Sequence, residues 1–126
     1  MKDKSLSHYN EVTAYITKDK SEIRELMHPS THDCNNSSLA EARVPIGATT
    51  LLHLHHESEE VYYVIQGEGK MHLNTDSFPL TKGDSLCIKP GTPHRITNIG
   101  DCELRILCIC SPAYQHEDTL LLVEGS

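Results

Sequence analysis

Beyond Gly67 no segment of this chain runs far enough for a helix before turn formers interrupt it. Gly67, residues 74–77, the Lys82-Gly83-Asp84 triplet, residues 90–93 and residues 98–101 cut the chain into short apolar runs. Glycine supplies positive φ and proline withholds a backbone donor, so each cluster ends one extended segment and re-aims the next. Short strands at such spacing build an all-β sandwich or barrel. The same rhythm is visible upstream, where a strand at 38–44 is stopped by Pro45 and Gly47 and the next begins near Thr49. Further strands are predicted at 61–65, 70–73, 78–80, 85–89, 94–97 and 103–110.

The flanks are less regular. Residues 1–14 are polar and lack a period, which fits a loose arm or a strand added by a partner subunit. Residues 15–17 and 23–26 read as short strands around the turn Lys18-Asp19-Lys20-Ser21, the second being also compatible with one turn of helix. Residues 28–37, HPSTHDCNNS, form a loop. The closing HEDTLLLVEGS suits either a last strand or a short helix. No repeat, low-complexity tract or linker divides the chain, so 126 residues make one domain. Its parts are an arm with short strands (1–37), a barrel (38–112) and a tail (113–126).

A net charge of -7 with no basic patch argues against a nucleic-acid partner, which needs clustered Lys and Arg to displace counterions. No apolar stretch reaches membrane-spanning length and the start, MKDKSLSHYNEV, does not read as a secretory signal, so a cytoplasmic protein is expected. The cysteines, Cys34, Cys87, Cys102, Cys108 and Cys110, are odd in number and include no CxxC pair. They are expected to be free thiols, with Cys108 and Cys110 sharing one strand face as small apolar side chains.

The chemistry concentrates in residues 47–67, GATTLLHLHHESEEVYYVIQG. His53 and His55 stand two apart in an apolar run, and side chains on a strand repeat every second residue, so both imidazoles share a face. Glu60 follows the polar tetrad His56-Glu57-Ser58-Glu59 and opens the run 61–65. Read as a hairpin, this segment returns the carboxylate beside the imidazoles. That donor set suits one divalent transition metal: iron, manganese, nickel, cobalt or zinc. With Glu60 inward, Tyr62 and Val64 are inward too, making Tyr62 a core residue that can also wall a substrate pocket. His56 has the opposite parity and, with Glu57, is expected to be exposed. His8, His28, His32 and His116 lie in polar segments and read as surface residues. Arg43 and Arg95 could hold an anionic substrate, a surface position being the default for each.

The spacing Gly47, five residues, His53-x-His55, four residues, Glu60, six residues, Gly67 is followed by Gly83, Gly91, His94 and Asn98. These two blocks resemble the motifs of the cupin superfamily, in its small single-domain (cupin-2) form. The resemblance implies a double-stranded β-helix, or jelly-roll barrel, with one metal held by His53, His55, Glu60 and His94. Lys89 stands where the family usually has the first proline of a Pro-x-Gly turn; Pro90 and Gly91 can still turn the chain. Cupins include dioxygenases, decarboxylases, isomerases and polyketide cyclases acting on small molecules. By analogy this chain is expected to be a small-molecule enzyme, dioxygenase-type first. The alternatives are a non-redox isomerase or cyclase, and a module that binds a ligand or metal without turnover. Open sheet edges in such small barrels favour a homodimer.

Overall fold

The computed structural model describes residues 4–122. The strands among them are β1 (Tyr15–Ile16), β2 (Glu22–Met27), β3 (Ser38–Val44), β4 (His53–His55), β5 (Glu59–Gln66), β6 (Glu68–Leu73), β7 (Asp76–Thr81), β8 (Ser85–Ile88), β9 (His94–Asn98), β10 (Leu104–Ser111) and β11 (Thr119–Leu121). They form two antiparallel sheets, ordered β1-β2-β3-β10-β5-β8 and β11-β4-β9-β6-β7. The all-β expectation holds, and the 38–44 strand has the predicted bounds.

Strict alternation fills the space between the sheets. Ala40, Ala42 and Val44 of β3, Tyr62 and Val64 of β5, Ile96 of β9 and Leu104, Ile106 and Cys108 of β10 are buried in one core with Met71, Leu80 and Ile88. Each large aliphatic side chain removed from water contributes roughly 1.5–3 kcal/mol. The apolar end is tightly filled. Gly67, at φ 90°, has no room for a side chain, because a Cβ there would lie 3.1 Å from Glu103 O and from Leu104 Cα. Toward the other end of the strands the inward residues become Ala40, Ser38, Glu60, Cys110, His53 and His94, and small side chains leave a cavity.

The outer face of the larger sheet carries a second buried feature. Glu41 points away from the core yet is 1% exposed. Arg43 and Arg105 donate to it from β3 and β10, Tyr9 donates its hydroxyl, and Arg24 of β2 lies 3.9 Å away. Tyr9 belongs to a single 3-10 turn, Tyr9–Glu11. Within its described part the arm packs on the sheet of its own chain through Tyr9 and joins neither sheet there. Residues 1–3 lie outside the described residues.

Other expectations need correction. The histidine strand starts at His53, not near Thr49: Thr50 N still bonds Ile96 O, but Leu51 N is diverted to Asp19 O and the ladder lapses. β4 and β5 are not a hairpin; they lie in different sheets, and residues 56–58 cross from one to the other. The turn expected at 74–77 shrinks to Asn74 and Thr75, because Asn74 adopts φ 56° and lets β7 pair from Asp76. Residues 23–26 lie in a strand, not a helical turn. The tail uses both options, a 3-10 turn at His116–Asp118 and then β11, with residues 123–126 outside the described residues.

Candidate metal centre

His53 and His55 project inward from β4, and His94 enters from β9 directly opposite His53 in the register. All three are buried, and one ligand nitrogen from each lies within 4.8 Å of the others. The outer nitrogens are each tied down. His53 Nδ1 is 2.8 Å from Leu51 O and His94 Nδ1 is 2.9 Å from Thr92 O. A carbonyl only accepts, so both Nδ1 atoms carry the proton and both Nε2 atoms keep a lone pair. His55 Nδ1 meets Thr119 Oγ1 at 3.0 Å, and that hydroxyl gives its own proton to Gln115 O at 3.2 Å. Thr119 therefore accepts from His55, and the third Nε2 is oriented like the other two.

Glu60 reaches the same point from the facing sheet. Its Oε1 lies 3.2 Å from His55 Nε2 and 3.4 Å from His94 Nε2. These separations are within ion-pair range but neither has hydrogen-bond alignment, so Glu60 Oε1 and His94 Nε2 are buried without a bonded partner. The Cys110 thiol, 3.7 Å away, donates to the other oxygen and steadies the carboxylate. Leaving such atoms unpaired costs about 1–3 kcal/mol each, more for charged groups. Three imidazole lone pairs and a carboxylate oxygen converging around two orphaned atoms fit a divalent cation.

Electrostatics agree with the geometry. Burial pushes the Glu60 carboxyl up, but His55 and His94 outweigh it and hold Glu60 well below the usual carboxylate range. His55 is lowered by burial and raised more by Glu60, ending above an ordinary histidine. His53 is pushed down, by burial first and His94 second. Metal binding would displace any proton held at His55 Nε2.

A cavity of about 50 Å³ opens beside these residues, lined among others by Asp19, Glu25, Tyr62, Cys108, Cys110 and Tyr114. It has room for a compact molecule rather than a polycyclic one. Tyr62 is buried and inward, with its ring edge-on to His94 at 6.2 Å between centroids. Both thiols are buried, and desolvation raises their pKa well above that of a free cysteine.

Two important residues were not singled out from sequence. Asp19, in the turn between β1 and β2, accepts at Oδ1 from Thr17 Oγ1, Ser21 N and Ser21 Oγ, while Oδ2 faces His53 Nε2 at 3.7 Å. Thr119 is the other. Both are far along the chain from the motifs, and only Asp19's place in a turn could be read beforehand. His56 and Glu57 are exposed as expected. His28 is held more firmly than a surface residue, its Nε2 lying 2.7 Å from Tyr114 O. Arg43 is engaged by Glu41, Tyr9 and Glu103 outside the barrel, and Arg95 has the opposite parity to His94; neither lines the cavity.

The family model for the Cupin domain matches residues 40–110, spanning both motif blocks. The chain is a cupin. It is 51% identical over 116 residues to the uncharacterized protein MJ1618 of Methanocaldococcus jannaschii, covering 92% of this chain and 93% of that one. A second relative, the oxalate-binding protein of Thermotoga maritima, is 34% identical over 70 residues, 56% of this chain and 58% of that one. In three dimensions this cupin superposes on the polyketide cyclase RemF from Streptomyces resistomycificus with a TM-score of 0.79. At 20% identity that match, covering 100% of this chain and 88% of RemF, speaks for the fold alone.

Proposed function

We propose that this cupin holds one divalent transition metal on His53, His55, Glu60 and His94 and acts as an enzyme on a small molecule in the adjoining cavity. The observation that carries the reading is the convergence of three oriented Nε2 lone pairs on an orphaned buried carboxylate oxygen. The bound metal would supply Lewis-acid or redox chemistry. Leu51 O, Thr92 O and Thr119 fix the tautomers, Cys110 steadies Glu60, and Tyr62 walls the cavity with its ring edge-on to His94.

Dioxygenase-type chemistry is the first reaction to test. A non-redox isomerase or cyclase reading has its own support in Asp19, which lines the cavity with Oδ2 lying 3.7 Å from His53 Nε2, where a proton could be passed. The name of the Thermotoga relative, an oxalate-binding protein, keeps ligand binding without turnover as a further reading. The exposed Tyr15 and Ile16 on the edge strand β1 support pairing of two copies, which light scattering would test.

Elemental analysis of the purified protein is expected to give about one equivalent of metal per chain, lost in a His53→Ala/His55→Ala variant. Equal content in both proteins would contradict the reading. Iron-loaded protein should then consume oxygen with a small catechol, diketone or thiol; no uptake across that panel would favour the non-redox chemistry.

A further inference from the structure

We infer that the cavity selects an uncharged, hydroxyl-bearing small molecule, an α-hydroxycarbonyl compound or small polyol, and disfavours carboxylate and phosphate substrates. The inference rests on the metal reading above and deepens it. Among the described residues, no Lys or Arg lines the cavity; its ionisable walls besides His53 are Asp19, Glu25 and Glu60, the phenols of Tyr62 and Tyr114, and two thiols. The arginines of the neighbouring strands, Arg24, Arg43 and Arg105, are turned to the opposite sheet face around Glu41.

Charge counting gives the selectivity. A divalent ion brings two positive charges, Glu60 cancels one and Asp19 the other, leaving no excess to attract an anion. Burial raises the Glu25 carboxyl above its ordinary value, and in its ionised form it makes the balance negative. An incoming carboxylate therefore meets like charge in a partly desolvated space with no lysine or arginine on the cavity wall to offset it.

Hydrogen-bonding capacity points the same way. Asp19 Oδ1 is saturated by three donors, but Oδ2 has only the imidazole edge at 3.7 Å. Glu25 Oε2 accepts from the Tyr15 hydroxyl at 2.9 Å, while its Oε1 is buried with no partner. Two oxygens of the cavity wall thus lack donors, which hydroxyl groups would supply and carboxylate or phosphate oxygens would not.

Cobalt(II)-loaded protein gives a test that does not depend on turnover, because ligand binding perturbs the cobalt absorption. Hydroxyacetone and glycolate are matched in size and differ in charge, and a free divalent ion favours the carboxylate. At pH 7 the wild type is expected to bind hydroxyacetone at least as tightly as glycolate. Asp19→Asn/Glu25→Gln should raise glycolate affinity tenfold or more, with each single variant between, and retention of the cobalt band reports that the variants are folded. Tighter glycolate binding by the wild type, a gain below tenfold in the double variant, or no response to hydroxyacetone would overturn the inference while leaving the metal reading standing. A wild type that retains no cobalt would overturn both.

Discussion

Glu41 and Glu60 sit on β3 and β5, the two strands that flank β10, and both are almost fully buried, yet they face opposite sides of the sheet. On the outer side, Glu41 is covered by Arg43, Arg105 and Tyr9, and both of its oxygens accept hydrogen bonds. On the inner side, Glu60 meets a weak thiol donor and two imidazoles that do not align with it. Burial would raise both carboxyls, and both are nonetheless held low by their neighbours. The same residue type on the same sheet is thus complete as a structural ion cluster on one face and left with an open lone pair on the other. Only the second calls for something from outside the chain.

The largest test of that contrast is metal loading. Saturation at a thousandfold excess over Kd should stabilise the wild type by about 4 kcal/mol in urea unfolding and leave His53→Ala/His55→Ala unchanged. Next is the pair of carboxylate variants. Glu41→Gln should cost about 2 kcal/mol, below the full value for a buried pair because its arginines are partly exposed, and the same amount with or without metal. The loss caused by Glu60→Gln, by contrast, should be larger in the metal-loaded than in the metal-free protein. A Glu60→Gln loss that metal leaves unchanged would erase the distinction between the two faces.

Acid provides a sharper version. Glu41 titrates lower in the folded chain than its ordinary value of 4.5, so its contribution is complete above that pH and is lost as pH falls through the folded pKa. The stability gap between wild type and Glu41→Gln should therefore be constant from pH 7 to about 5 and close at lower pH. A gap that widens on acidification would reverse the assigned sign. The smallest effect is expected at the outer support of the candidate metal centre. Thr119→Val removes the acceptor for His55 Nδ1–H and should weaken metal binding about tenfold, measured by competition with a chelator.

Much of the inner face was legible because local rules govern it. Period-two alternation put His53 with His55 and Glu60 with Tyr62, and Gly and Pro marked most strand ends. His94 came only from the family resemblance, since nothing local distinguishes one histidine at the start of a strand. The sequence reads as a hairpin between the imidazoles and Glu60 and the structure differs, because a short polar loop can either reverse a strand or carry it to a facing sheet, and side-chain parity is the same in both. Asp19, Thr119 and the cover over Glu41 were not legible. Each depends on contacts across the fold: Asp19 with His53, Thr119 with His55, and Tyr9 and Arg105 with Glu41. Such contacts leave no trace in nearby sequence when the residues themselves are ordinary polar ones.

The most direct measurement is anomalous diffraction at the cobalt edge from metal-loaded crystals. One peak per chain is predicted, within about 2.0–2.2 Å of Nε2 of His53, His55 and His94 and of a Glu60 oxygen. A peak elsewhere, or a loaded crystal in which any of those imidazoles turns its Nδ1 inward and abandons Leu51 O, Thr119 or Thr92 O, would contradict it.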